Sequence, residues 1–378
     1  MNAEAPGHWR NAKLEELVFF QRGYDITQAQ QRPGTYPVIS SSGITSHHDE
    51  FKASGPGIVI GRKGTLGSIH FTAGDYWPHD TTLWSKDLHG NNPRYVYYFL
   101  HTLDFKRFDV GNSNPTLNRN HIHDLPIQIP PGPVQEKIAN VLSAYDDLME
   151  NNRRRMALLE ETARLLYQEW FVRLRFPGHE ATRVTNGVPE GWDRKSIGDI
   201  CTDVREIVSP ENLETDTPYI GLEHVPRRSI SLTEWATADS VTSTKHRYKV
   251  GDILFGKIRP YFHKVGIVFT DGVASSDAIV IRTSSDELRS FTLMTISSDE
   301  FVAEASQTMR EGSKMPRADW KLMTTYPVML PPIGLLQNFS ETITAITDQL
   351  RNLCFQNRNL KAARDLLLPR LMNGEIQL

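Results

Sequence analysis

Two short loops carry the residue types that could do chemistry on an anion or a base. GRKGTLG, from Gly61, sets Arg62 and Lys63 between glycines and adds the hydroxyl of Thr65; GKIRPYFHK, from Gly256, carries Lys257, Arg259, Tyr261 and Lys264. Glycine lets a backbone approach a phosphate closely, and a guanidinium can meet a guanine edge through two parallel hydrogen bonds. A solvated hairpin turn is the plainer reading of either loop taken alone. The equivalent places of the two loops in the chain favour a shared role over chance charge.

A second pair of loops follows. GNSNPTLNRNHI supplies Ser113, Asn114, Asn118 and Arg119, and its counterpart GSKMPR supplies Ser313, Lys314 and Arg317. Asparagine can pair with adenine through two bonds, but Asn and Ser also cap turns, and both readings stand. Asp80 and Asp277 lie just before apolar strands, where an acidic side chain could accept from cytosine N4 or hold a turn; the turn is the expectation. His47, His48 and Asp49 resemble metal ligands only superficially, since adjacent histidines point apart on any regular element and no third ligand is suitably spaced. No metal is expected. Arg153, Arg154 and Arg155 read as a solvated helix face, with a docking surface or a DNA contact as the sharper alternative.

These loops sit in a chain written twice. Pro126, Pro130 and Pro131 are answered 201 residues later by Pro327, Pro331 and Pro332, and Trp9, Leu14 and Leu17 are answered 183 residues later by Trp192, Ile197 and Ile200. The difference is 18 residues of surface insertion in the second copy, where loops tolerate them. The segments IVIGR, SIHF, DILFG, GIVF and AIVIR predict strands, and NPRYVYYFLHTLDFKRF predicts helix, so each copy is expected to be α+β.

Each copy closes with a long helix. Apolar or small residues recur in alternating steps of four and three at Ile138, Leu142, Tyr145, Met149, Asn152, Met156, Leu159, Ala163, Leu166 and Trp170, and 201 residues later at Phe339, Ile343, Ile346, Leu350, Leu353, Asn357, Leu360, Arg364, Leu367 and Leu371. That is a coiled-coil seam in both. An antiparallel pair with full overlap sets Asn152 opposite Asn357, where two amides can satisfy each other and fix the register, and Tyr145 opposite Arg364. Tyr167, Trp170, Phe171 and Phe176 are expected to pack this helix against the second globular part. The expected organisation is therefore a recognition domain at 1–133, a spacer helix at 134–176, a second recognition domain at 177–332 and a second spacer helix at 333–378, related as a pseudo-twofold internal repeat. The first seam would span about 48 Å at the helical rise, the right order to hold two readers on one face of a duplex that repeats every ~34 Å.

Bulk properties set limits. With 378 residues, 39% hydrophobic and 23% charged, the composition is that of an ordinary globular protein, and two cysteines allow neither a disulfide framework nor a cysteine-rich zinc site. A net charge of −3 argues against indiscriminate coating of nucleic acid, although residues 245–265 hold a local basic cluster. No apolar run suggests a signal peptide or membrane span, so a cytoplasmic protein without membrane contact is expected.

The helices and their lead-ins carry a resemblance. LPIQIPPGPVQEKIANVLSAYDDLMENN, NRRRMALLEETARLLYQEWF, the FPGHE that follows it, and the closing LKAARDLLLPRLMNGEI are similar to the DNA-specificity subunit of type I restriction-modification systems. The resemblance covers essentially the whole chain, with the helices more specific than the globular parts. It implies two target-recognition domains that each read half of a split, asymmetric site on double-stranded DNA, and helices that space them and dock two methylase subunits and motor-endonuclease subunits. S-adenosylmethionine and adenine methylation would belong to the methylase. This chain itself has no Walker loop, no strand-to-helix glycine turn for a nucleotide and no NPPF-like tetrapeptide, as a non-catalytic subunit without a cofactor of its own would have. The alternatives are a partner-independent two-headed DNA-binding protein, such as a repressor or decoy, and a structural adaptor.

Overall fold

Runs of β-branched and aromatic residues bounded by glycine and aspartate become strands, because they fit a pleated surface buried on one or both faces. Gly57–Gly61, Ile69–Thr72, Ile253–Gly256, Val265–Val268 and Ala278–Thr283 are strands in the computed structural model of the chain, which describes residues 9–108, 116–309 and 315–378. The helix expected from Asn92 is shorter than its sequence pattern, Pro93–Leu100. The Thr102 hydroxyl donates to the Phe99 carbonyl at 2.7 Å, and the backbone tightens into turns over the same residues.

The chain divides into two units, Met1–Met149 with Asn359–Leu378, and Glu150–Arg358, so that each includes part of both long helices. In the first unit a four-stranded sheet runs in the order Phe19–Arg22, Thr82–Asp87, Gly57–Gly61, Ile69–Thr72. In the second, Cys201–Asp203, Ala278–Thr283, Ile253–Gly256 and Val265–Val268 repeat that order, and Ser231–Leu232 adds a fifth strand. Each unit also pairs its opening strand with the strand before its long helix: Arg10–Lys13 with Pro126–Ile129, and Asp193–Ser196 with Pro327–Leu330. The α+β internal repeat read from the sequence is the fold observed.

The long helices are Gly132–Tyr167, continued by a π-turn over Gln168–Val172, and Ile333–Met372. Both start the same way, since the carbonyls of Pro131 and Pro332 accept from the third and fourth residues beyond. Proline at this point lacks only a donor that no helical acceptor could use. All twenty seam positions are buried or half-buried. Within the first unit Ile138 and Leu142 share a core with Leu371 and Met372; within the second, Met156 and Ala163 share one with Phe339, Ile343, Ile346, Leu350 and Leu353. Each fully buried side chain of this size contributes about 1.5–3 kcal/mol.

Polar groups within the seam set the register. Asn152 Nδ2 donates to Asn357 Oδ1 at 2.9 Å, so the two amides occupy one layer of an antiparallel pair. The Arg364 guanidinium bonds to Asp146 at 2.5 Å, and the same carboxylate receives the Tyr98 hydroxyl, so the charge at this end of the seam is neutralised. The aromatic end packs as expected: Phe171 meets Phe339 at 4.7 Å and Phe291 at 5.1 Å between ring centroids, and Phe176 meets Trp192 at 5.2 Å.

Candidate nucleic-acid interface

In both units the basic loop leaves the end of a core strand and is braced by the same backbone bonds. Arg62 N–H donates to Thr81 O at 2.8 Å and Leu117 N–H to Arg62 O at 3.0 Å; Lys257 N–H donates to Asp277 O at 2.9 Å and Ala318 N–H to Lys257 O at 2.8 Å. Isolated bridges join Lys63 to Thr116 and Ile258 to Arg317. The two loops, the two segments after GNSNP and GSKMP, and the two turns at Asp80 and Asp277 are thus brought together, once in each unit. Ser113, Asn114, Ser313 and Lys314 lie outside the described residues.

In the first unit, Lys63 and Thr65 are exposed and Arg62 is half-buried. Arg22 Nη2 donates to Asp80 Oδ2 at 3.0 Å, beside Arg62, whose Nη1 is buried without a hydrogen-bond partner among the described residues. Burial first, and then repulsion from Arg22, hold the Arg62 guanidinium below its ordinary value, with Asp80 opposing them. A half-desolvated cation with an unused donor is suited to an incoming anion or acceptor edge. Arg119 is exposed. Asn118 Oδ1 is committed to capping the short helix Arg119–His123, where it accepts from Asn120 N–H at 3.0 Å.

In the second unit, Arg317 Nη2 donates to Asp277 Oδ1 at 3.0 Å, and Lys257 is held below its ordinary value by burial, with Asp277 opposing. Arg259 sits at φ 48° over the Phe262 ring, and Tyr261 is exposed. Lys264 is turned inward instead, its ammonium on the Leu222 carbonyl, so it braces the loop. Asp80 and Asp277 do more than hold turns: each carboxylate fixes an arginine.

The remaining sequence features take their plain readings. His48 is buried and Asp49 pairs with Arg32 at 2.7 Å, while Arg153 and Arg154 are exposed and pair with Glu150 on their own helix. Among the described residues one group could hold a metal by spacing, Asp25, His79 and Asp80, but Asp80 is already engaged by Arg22 and nothing else marks the group as a ligand site. No described helix is long and apolar enough to cross a membrane.

Residues 6–161 match the family described as the type I restriction modification DNA specificity domain. Residues 6–161 carry a type I specificity domain. Two relatives extend the likeness: the type I restriction enzyme MjaIX specificity subunit of Methanocaldococcus jannaschii is 24% identical over 75% of this chain and 69% of its own length. The EcoDI specificity subunit of Escherichia coli is 21% identical over 87% and 79%. The crystal structure of the type I restriction-modification system S subunit from M. genitalium shares the fold, with a TM-score of 0.60 over 98% of each chain at 14% identity. The resemblance read from the helices and their proline lead-ins is borne out, and with it DNA sequence recognition in a restriction-modification system as the class of function.

The specificity domain contains Arg22, which loop reading alone missed, and the second unit contains its counterpart Arg205, whose Nε donates to Asp203 at 2.7 Å. The signal was present: the 183-residue offset that matches Trp9 to Trp192 also matches Arg22 to Arg205.

One titration follows from the helix next to the specificity domain's loop. His123 Nε2 accepts from the Phe20 N–H at 3.0 Å, which only the neutral ring can do, and burial holds its pKa below the model-peptide value of 6.5. A lowered pKa means the unfolded chain takes up this proton first, so the contribution of His123 is present above pH ~6.5 and declines as pH falls below it. Thermal unfolding of the wild type should fall between pH 7.5 and 5.5 by more than that of His123→Gln; equal slopes would count against this assignment.

Proposed function

We propose that the chain is the DNA-recognition subunit of a type I restriction-modification complex, reading a split, asymmetric site on double-stranded DNA with one unit per half. The observation that carries this reading is the repeated brace: the same backbone bonds present different side chains, Arg62 and Lys63 in one unit, Lys257, Arg259 and Tyr261 in the other. Equivalent scaffolds with unlike readers suit two unlike half-sites. The division into recognition segments 1–133 and 177–332 and spacer helices 134–176 and 333–378 belongs to the same proposal.

In this reading the chain performs no catalysis and holds no cofactor. Two methylase subunits that bind S-adenosylmethionine would dock on it and methylate adenine, extruding the base from the stack, and motor-endonuclease subunits would complete the complex in the cytoplasm. The family likeness supports this, as does the absence of nucleotide-binding and methylase motifs from the sequence.

The test is genome-wide adenine methylation in cells that express the chain with its neighbouring subunits, compared with cells lacking this chain alone. Loss of methylation at one split, asymmetric motif is expected. An unchanged methylome with active partners would instead favour a partner-independent DNA-binding protein or an adaptor.

A further inference from the structure

The two units differ at one matched strand position. Phe20 in the first is fully buried, stacked with the His123 ring at 6.3 Å, and pairs across the sheet with Ser85. Asp203 holds the matching place in the second, 183 residues on, paired with Ile281. It lines an open cleft of about 670 Å³ together with His246, Lys257, Arg317 and Trp320. Asp203 Oδ2 is anchored by Arg205 Nε at 2.7 Å, whereas Asp203 Oδ1 and His246 Nδ1 are buried with no hydrogen-bond partner among the described residues. The Lys257 ammonium forms no hydrogen bond or salt bridge with the described residues and feels both Asp203 and Asp277 electrostatically.

An orphaned carboxylate oxygen is costly unless something completes it. A fixed acceptor beside an unused donor matches one kind of base edge, an exocyclic amino group next to an acceptor. In the major groove that is adenine N6 beside N7, or cytosine N4 beside the O6 of its paired guanine. Apolar walls from Ile279 and Trp320 flank the cleft and would keep water from competing.

Resting on the function proposed above, we propose that Asp203 and Lys257 are a base-reading pair of the second unit. Asp203 Oδ1 takes the amino group and Lys257 the adjacent N7 or O6. The first unit, with Phe20 in that place, has no counterpart, so the pair belongs to one half-site only. Arg205 is a positioning residue that holds the carboxylate in orientation.

The experiment is selection of randomised duplexes by the full chain co-purified with its methylase subunits, comparing wild type with Asp203→Asn and Lys257→Met, each checked for folding by thermal unfolding. Both variants are expected to lose preference, by about 10-fold or more, at the same base pair of one half-site, with the other half-site unchanged. Two variants at separate positions keep the test decisive if one of them does not fold. A wild type that selects a split site, with folded variants that keep every preference or weaken all positions equally, would overturn the pair and leave the functional proposal standing. A wild type that selects no split site would overturn both.

Discussion

Replacing Arg62 and Lys257 together by alanine should weaken specific DNA binding by about 2–6 kcal/mol, the largest functional loss expected from two surface substitutions. Each side chain leaves a braced loop with its charge half-desolvated, and each good base contact of this kind is worth about 1–3 kcal/mol of discrimination. The two residues lie in separate units, so their losses should add. Titration of the wild type, both single variants and the double variant against the selected site at fixed salt checks this. If the double variant were no weaker than the worse single one, the two loops would not be reading separate half-sites. Lys264→Ala is a useful contrast, since its ammonium is spent on the Leu222 carbonyl and its removal should act on stability more than on sequence preference.

Glu160→Ala should destabilise the second unit by about 3–5 kcal/mol, the range for removing one partner of a buried charged network. The carboxylate is nearly inaccessible, with 8% of its side chain exposed. It accepts from the Ser229 hydroxyl at 2.6 Å, the Ser231 N–H at 3.2 Å, the Ser231 hydroxyl and the Arg164 guanidinium at 3.2 Å. Alanine would remove the acceptor these donors share and leave them only the longer bonds within the Ser229–Ser231 turn and, for Arg164, the Arg228 carbonyl and Glu161, so the penalty includes desolvation as well as the bonds lost. Glu160→Gln keeps the shape and one acceptor oxygen and should lose less. Denaturant unfolding followed by far-UV circular dichroism distinguishes the cases; a change under ~1 kcal/mol for the alanine variant would mean the network contributes little.

Much of this architecture is legible in local sequence because its rules are local. A seam of alternating four and three steps can be buried only as a helix against a helix, and one asparagine per seam leaves few acceptable registers; Asn152 and Asn357 share a layer at 2.9 Å. The double prolines mark helix starts because proline has no N–H to leave unsatisfied. The 183 and 201 offsets name equivalent positions before any coordinate is known. The basic loops were legible as well, since glycine and arginine in one turn is a local signal.

What the sequence could not decide are the contacts made across the fold. Asn118 offered both a reader and a cap, and the start of a short helix settled its oxygen on capping. Lys264 looks like Lys257 in sequence, yet one is spent on a backbone carbonyl and the other faces a cleft. Asp80 and Asp277 became anchors for arginines distant in sequence, and Glu160, off the seam and unremarkable in sequence, became the centre of a buried network. The sequence by itself determined the repeat, the helices and the family they belong with, because periodicity and chain stiffness act between near neighbours. Only the tertiary structure decided which charges are neutralised within the fold and which are not, because that depends on what each side chain finds across it.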